Sequence, residues 1–359
     1  MTKIRTIHLG IDGVGAELLR LVAERPDIEV IGVIDTQPER VGRDAGEAAG
    51  IGRSLGIKVA YDPDIVLDLA GDVVLHCTES GLAAVYPQIL QAVSAEKNVI
   101  SSCGELVFPW LRYPDIARRL DQRAHEVGVR VLGIGGSTGF MMDALTLLSA
   151  AACQQIKSLQ VTRRCGLSLE LVRPGGRIGI GLTPQGFQLA ASNGVIGHGS
   201  LRESLFMIAD TLGWHLDEVV EVLEPILAKE RVKTQYFVVD KGCVAGIRQA
   251  VRGLMGGREL GRLEVETSLL TREPLDQIII DGRPSINLQI PGGVQSELAT
   301  AAIMVNCISA IVHGHASGLL SIHDIPIAPY RGPSLERGPA LQSQETPPRE
   351  RSRNWSSWA

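Results

Sequence analysis

Residues 4–9 form a short apolar stretch that runs into Gly10-Ile11-Asp12-Gly13-Val14-Gly15, and Leu18, Leu19, Leu21 and Val22 then mark a helix over residues 16–24. Strand, glycine turn and helix in succession constrain the fold of this chain more than any other feature. The turn exposes backbone N–H groups and the helix start attracts negative charge, which suits a dinucleotide pyrophosphate. One position departs from the GxGxxG spacing: Asp12 stands at the second glycine, with Gly13 beside it. A carboxylate there opposes a pyrophosphate unless it points away, and a plain tight turn is the competing reading. A second strand, 28–34, ends in Asp35, about 20 residues after Gly15, where an acid meets the adenosine ribose hydroxyls. That favours NAD. Arg40 and Arg43 follow within reach of a 2′-phosphate, so NADP stays open, and both also read as solvated loop charge.

The alternation continues. A Gly- and Ala-rich helix is expected over 42–51 and a short strand over 57–60. Residues 72–77 (DVVLHC) are nearly all apolar, as a parallel strand buried on both faces should be. A helix over 82–95, a strand from 98, an amphipathic helix over 115–127 and a strand over 129–132 complete an α/β fold of the Rossmann type, with a doubly wound parallel sheet. Thr78, Glu105 and Thr138 each fall just past a strand's carboxyl end and should border one crevice, in company with Cys77, Cys103 and Gly104.

The pattern changes near residue 143. An apolar helix (142–152), a strand (156–165), an arginine-bearing loop (166–181, with Arg173 and Arg177) and helices over 184–191 and 201–211 follow. Strands over 232–239, 243–251, 262–270, 277–281 and 285–290 alternate polar and apolar residues, which implies an α+β domain with a mostly antiparallel sheet. A long apolar helix, 297–313, holds Asn306 as its single amide and is expected to pack back on the first domain. The organisation is therefore residues 1–142 for the nucleotide, 143–295 for substrate and dimerisation, 296–330 returning to the first domain, and 331–359 a disordered tail rich in Gly, Pro, Ser and Gln.

Residues 98–110 (NVISSCGELVFPW) set one carboxylate, Glu105, among apolar neighbours, where desolvation disfavours its charge. Either it is kept there for chemistry, or it caps the helix after Pro109 or pairs with an arginine. The net charge is −5 with no basic block in the body, so no nucleic acid is expected. No apolar run of ~18 residues is evident, so no membrane partner is expected. The six cysteines (Cys77, Cys103, Cys153, Cys165, Cys243, Cys307) include no CxxC pair and read as reduced thiols of a cytoplasmic enzyme. No metal site is expected: His313, His315 and His323 cluster only loosely.

Several segments resemble the 2,4-diaminopentanoate dehydrogenase family and the native amine dehydrogenases related to it, a branch of the dihydrodipicolinate-reductase-like group. They are 35–50, 72–110 (with CTES and CGELVFPW), 128–145, 194–214 (with GHGSLRES) and 292–324, in matching order over about residues 3–326. The resemblance implies NAD(P)-dependent oxidative deamination of an amine, or reductive amination of a carbonyl with ammonia, and its catalytic glutamate matches Glu105. The chain departs from it at Asp12, at Gly104 in place of the first Glu of a Cys-Glu-Glu run, and at Ser137-Thr138-Gly139-Phe140 in place of Asn-Pro-Gly-Phe. Gly10, Asp12, Gly13, Val14, Gly15, Asp35, Arg40, Cys77, Thr78, Cys103, Gly104, Thr138 and Asn306 are expected at the NAD or NADP site. Phe140, Met141, Arg173 and His198 are expected at the substrate, although Phe140 and Met141 suit core packing equally well. The partners implied are a small amine or carbonyl, ammonia and, from the exposed face of the second sheet, a second copy of the chain. Two alternatives stand beside amine dehydrogenation: a diamino-acid dehydrogenase or cyclic-imine reductase, which needs arginines for a carboxylate, and a non-catalytic NAD(P) sensor.

Overall fold

Two large sheets dominate, the first built from the start of the chain and one strand that returns to it near residue 320. A computed structural model describes residues 2–78, 81–167, 177–234 and 238–326. Its first half runs β1 (Ile4–Leu9), α1 (Val14–Ala23), β2 (Ile28–Ile34), α2 (Ala45–Ala48), β3 (Val59–Ala60), α3 (Pro63–Leu67), β4 (Val73–His76), α4 (Leu82–Ser94), β5 (Asn98–Ser101), α5 (Pro114–Val127) and β6 (Arg130–Gly133). The second half runs α6 (Ala144–Ala150), β7 (Gln155–Cys165), α7 (Pro184–Ser192), α8 (Leu201–Leu212), β8 (Glu218–Leu227), β9 (Val232–Lys233), β10 (Val238–Val239), β11 (Val244–Met255), β12 (Arg258–Ser268), β13 (Leu275–Arg283), β14 (Ile286–Pro291), α9 (Ser296–His313) and β15 (Gly318–Leu320).

The first sheet is parallel throughout, in the order β15-β6-β5-β4-β1-β2-β3. Its central strands carry unbroken apolar runs because helices cover both faces: every residue of β4 is buried. On one face α1 lays Leu18 and Val22 against the sheet beside Met304, Ile308 and Ile311 of α9. On the other, α4 and α5 bury Leu82, Ile89, Leu120 and Ala124. α9 is long and apolar enough to cross a membrane by length and composition alone. Here Ile303, Met304, Val305, Ile308 and Ile311 are taken up in the core, while Leu298 is exposed.

The second sheet has the order β14-β13-β7-β12-β11-β8. It is antiparallel except where β7 and β12 run parallel. Leu201, Leu205 and Ile208 of α8 pack with Val161, Val251, Leu263 and Ile278 on one face. Three expectations need correction. The helix over 42–51 shrinks to the four residues of α2, because the glycines at 42, 46 and 50 disfavour helix and Asp44 caps only one turn. The strand over 232–239 is reduced to β9 and β10, with 235–237 outside the described residues. β8 and β15, both unread from the sequence, add an edge strand to each sheet.

Arg163 joins the second sheet to the first. It is 1% exposed on β7, and its Nε donates to Asp276 Oδ1 at 2.9 Å. Its Nη2 donates to Val294 O at 2.6 Å and its Nη1 to Gly136 O at 3.5 Å, in the turn after β6. The second Asp276 oxygen accepts from Val294 N at 2.7 Å. Arg163→Met leaves a buried carboxylate without its cation, so a loss of about 3–5 kcal/mol in unfolding free energy is expected. Urea melts of the two proteins measure it; a change below about 1 kcal/mol would contradict this account of the joint.

Candidate active site

The glycine turn is as tight as its sequence requires. Gly10 has φ +86, and a β-carbon there would lie 2.4 Å from Cys77 O. One at Gly15 would lie 2.2 Å from Gly10 O. Only glycine lets β1, β4 and the start of α1 meet this closely. No side chain caps α1, whose first residue is Val14, so its N-terminus is available to an anion. Asp12 folds back onto the turn: its Oδ1 accepts from Gly13 N at 3.0 Å and faces Arg40 Nη2 at 3.2 Å. Asp35, 6% exposed, accepts from Ile11 N (3.1 Å), Gln37 N (2.9 Å) and Arg40 Nη1 (3.1 Å). Arg40 therefore bridges the two acids at the mouth of the turn. These features fit a dinucleotide: a close backbone, an open helix start, and an acid at the end of β2.

At the end of β4, Thr78 is exposed and its Oγ1 donates to Gln88 Oε1 at 2.9 Å, 3.0 Å from His76 Nε2. His76 is buried, which depresses its pKa, and its Nδ1 lies 2.8 Å from Ser101 Oγ. Ser101 Oγ accepts from Cys103 N at 3.1 Å, so one network fixes the ends of β4 and β5 together. Cys77 and Cys103 are buried, and burial pushes both thiols up to about 12. Cys77 packs its sulfur 3.9 Å from Met304 of α9, the helix that carries the half-buried Asn306.

Glu105 lies in a 3₁₀ turn, Gly104–Leu106, that follows β5, and is 8% exposed. Its Oε2 accepts from Leu82 N and from Tyr113 Oη, both at 2.8 Å. Its Oε1 lies 3.3 Å from Arg112 Nη1. Glu105 thus meets the first residue of α4 and also pairs with an arginine; these donors offset the cost of burying its charge. The same Arg112 nitrogen donates to Gly199 O at 2.8 Å and to Glu203 Oε1 at 3.1 Å. Burial raises the Tyr113 hydroxyl to about 12, aided by its bond to Glu105.

The second domain closes on this edge through the start of α8. Thr138 Oγ1 and Ser200 Oγ are 2.9 Å apart, and a β-carbon at Gly104 would lie 2.6 Å from Ser200 Oγ. Gly104, which replaces a larger residue in the resemblance, leaves room for that contact. A cleft of about 660 Å³ opens beside it, lined by Arg112, Arg177, His198, Gly199, Arg202 and Glu221 among others. A β-carbon at Gly199 would lie 3.6 Å from Glu105 Oε1 and 3.2 Å from Arg177 Nη2. His198 N donates to Gln249 Oε1 at 2.6 Å. Burial lowers the His198 pKa to about 4, with Arg177 and Arg163 adding to it, so the imidazole is neutral near pH 7. Met141 is fully buried among Val161, Leu201 and Leu263, and Phe140 packs between the two cores, so neither lines the cleft. Arg173 lies outside the described residues. Among the described residues no group of three or more His, Cys, Asp or Glu side chains is placed to hold a metal.

Arg112, Tyr113 and Glu203 belong to the site but carried no distinct signal in the sequence. Arg112-Tyr113 falls just beyond the apolar run after Glu105, and Glu203 lies inside GHGSLRES, where an acid in a helix's first turn reads as ordinary.

Residues 140–331 match the family model for the 2,4-diaminopentanoate dehydrogenase C-terminal domain, and residues 5–104 match that for the dihydrodipicolinate reductase N-terminus. A 2,4-diaminopentanoate dehydrogenase of Acetoanaerobium sticklandii is 29% identical over 91% of this chain and 94% of its own. An amine dehydrogenase of Streptomyces virginiae is 24% identical over 92% of this chain and 98% of its own. The structure of an amine dehydrogenase from Mycobacterium smegmatis superimposes with a TM-score of 0.81 at 19% identity, covering 92% of this chain and 98% of that one. With its C-terminal model spanning more than half of the sequence and both sheets in place, the chain belongs to the 2,4-diaminopentanoate dehydrogenase family and is an NAD(P)-dependent oxidoreductase.

Proposed function

We propose that the chain catalyses reductive amination of a small carbonyl compound with ammonia, and the reverse oxidative deamination, with Glu105 as the group that moves protons. The observation that carries this reading is the asymmetry of the Glu105 carboxylate. Oε2 is anchored by Leu82 N and Tyr113 Oη, while Oε1 faces Arg112 and the Gly199 edge of the cleft. A carboxylate so fixed is pre-oriented for proton transfer at one oxygen. It takes a proton from ammonium, and the ammonia so freed adds to the carbonyl carbon, its extra proton passing to the oxygen to give the carbinolamine. It returns a proton to the hydroxyl of the carbinolamine, which leaves as water. Its anion then stabilises the iminium cation. The bound nicotinamide supplies the hydride that completes the reduction. Deamination is the same path reversed. The pairing of Thr138 with Ser200 supports exclusion of water from the crevice.

A second reading is favoured by Arg177 and Arg202 on the cleft: a substrate that carries a carboxylate as well as the amine, as a diamino acid does. The relative named for 2,4-diaminopentanoate supports it. Turnover of NADH or NADPH with simple ketones and ammonium favours the first reading, and turnover confined to keto acids favours the second. A second copy of the chain as partner rests on the second sheet, where Val222 and Ile279 are exposed.

For the cofactor, Asp12 and Asp35 share the charge of Arg40, which leaves it less free for a 2′-phosphate and supports NAD as the preferred form. Asp12→Gly frees Gly13 N and leaves Arg40 paired with Asp35 alone. It is expected to tighten NADPH by roughly five- to tenfold, about 1 kcal/mol, and NADH by less. Fluorescence titration gives both constants; unchanged or weaker NADPH binding would sink this account of Asp12. Glu105→Gln is expected to lower kcat for amination by about 10²- to 10⁴-fold while NADH binding stays within a factor of two. Near-normal turnover would remove Glu105 from the chemistry.

A further inference from the structure

Glu203 is an unusual acid. It sits in the first turn of α8, is 0% exposed, and reaches a cation through one oxygen, with Arg112 Nη1 at 3.1 Å from Oε1. Its Oε2 is buried with no hydrogen-bond partner. A buried carboxyl oxygen with no donor favours the protonated acid, and burial raises the Glu203 pKa to about 7, with Glu105 adding to it against the pull of Arg112. The Arg112 nitrogen that it meets is the one that faces Glu105 Oε1 at 3.3 Å. Two carboxyls therefore share one guanidinium. With both ionised, the trio carries one net negative charge in a largely buried place; with one proton it is neutral.

We propose that Glu203 is a positioning residue that sets the protonation of Glu105 through the single Arg112 nitrogen they share. With Glu203 ionised, the charge of Arg112 is divided, and Glu105 accepts a proton readily. With Glu203 protonated, Arg112 serves Glu105 alone, and Glu105 gives its proton up. The two acids titrate as a pair, and no proton need pass between them. The inference rests on the reading of Glu105 as the proton-moving group.

Besides Arg112, the titratable or charged groups near the pair among the described residues are Tyr113, Cys103, Arg177 and Asp143. Burial holds the Tyr113 hydroxyl and the Cys103 thiol at about 12, so both stay protonated over the working range. Arg177 donates from Nε to Gly197 O at 2.8 Å. Asp143 is tied to Gly139 N, Ala144 N and the Ser204 hydroxyl. Burial raises the Asp143 pKa against the pull of those donors.

The pH dependence of kcat/KM for amination tests this, with NADH binding and a thermal melt to establish folding. Glu203→Gln removes the negative charge and keeps the shape. Its acid-side limb, which reports the ionisation of Glu105, is expected to move down by about one pH unit, and the ionisation near 7 should vanish. A profile that superimposes on the parent's overturns the proposal. Should Glu203→Gln fail to fold, Arg112→Met, at a side chain 41% exposed, is the second variant. It leaves two carboxyls without their cation, so the limb should move up by about one unit or more, and an unmoved limb overturns the proposal equally. Glu105→Gln separates the two readings. If that variant is inactive and the Glu203→Gln profile is unmoved, this inference alone fails; if it retains turnover, the role of Glu105 fails and takes this inference with it.

Discussion

A carboxylate at the end of a buried strand has lost most of its water, and the protein must supply donors in its place. Glu105 receives them from three directions: the first N–H of α4, the hydroxyl of Tyr113 and the guanidinium of Arg112. Much of the surrounding architecture serves that requirement. β5 brings the residue to the carboxyl edge of the sheet, α4 starts where its N–H can reach, and the segment after Trp110 folds back to deliver Arg112 and Tyr113. The second domain adds the Ser200 and Gly199 contacts from the far side.

The same edge joins the two halves of the molecule. Arg163 reaches from the second sheet to Gly136, Ser200 meets Thr138, and Asp143 accepts from Gly139 N in the turn Ser137–Met141. A chain that holds its reactive acid at a seam between domains can fix the position of that acid with residues distant in sequence. Arg112 touching Glu203 across 91 positions is the clearest case.

The parallel sheet was readable because its strands are apolar on both faces and its turns rich in glycine. β4, read as part of DVVLHC, is fully buried. The second sheet was harder. β8 alternates charged and apolar residues in EVVEVLEPIL, and an exposed edge strand of that kind resembles solvated loop as closely as strand. β15 is three residues long, too short for any periodicity. At the site, Glu105 stood out because a lone acid in an apolar run is costly, and the glycine turn because of its spacing. Arg112 and Glu203 did not, since an arginine after a proline-tryptophan pair and a glutamate in a helix's first turn are commonplace. Their importance comes from a contact that only the fold creates.

β15 pairs with β6 by residues 318–320, after the whole second domain has been traversed. The nucleotide-binding sheet is thus assembled from both ends of the described chain, with the other domain inserted between. During synthesis the edge of β6 and the apolar surface that α9 covers stay open until nearly the last described residues leave the ribosome. The chain up to β6 therefore emerges with one strand edge of its sheet unpaired. Closure of that edge therefore depends on residues 318–320, which a chain ending before them cannot supply.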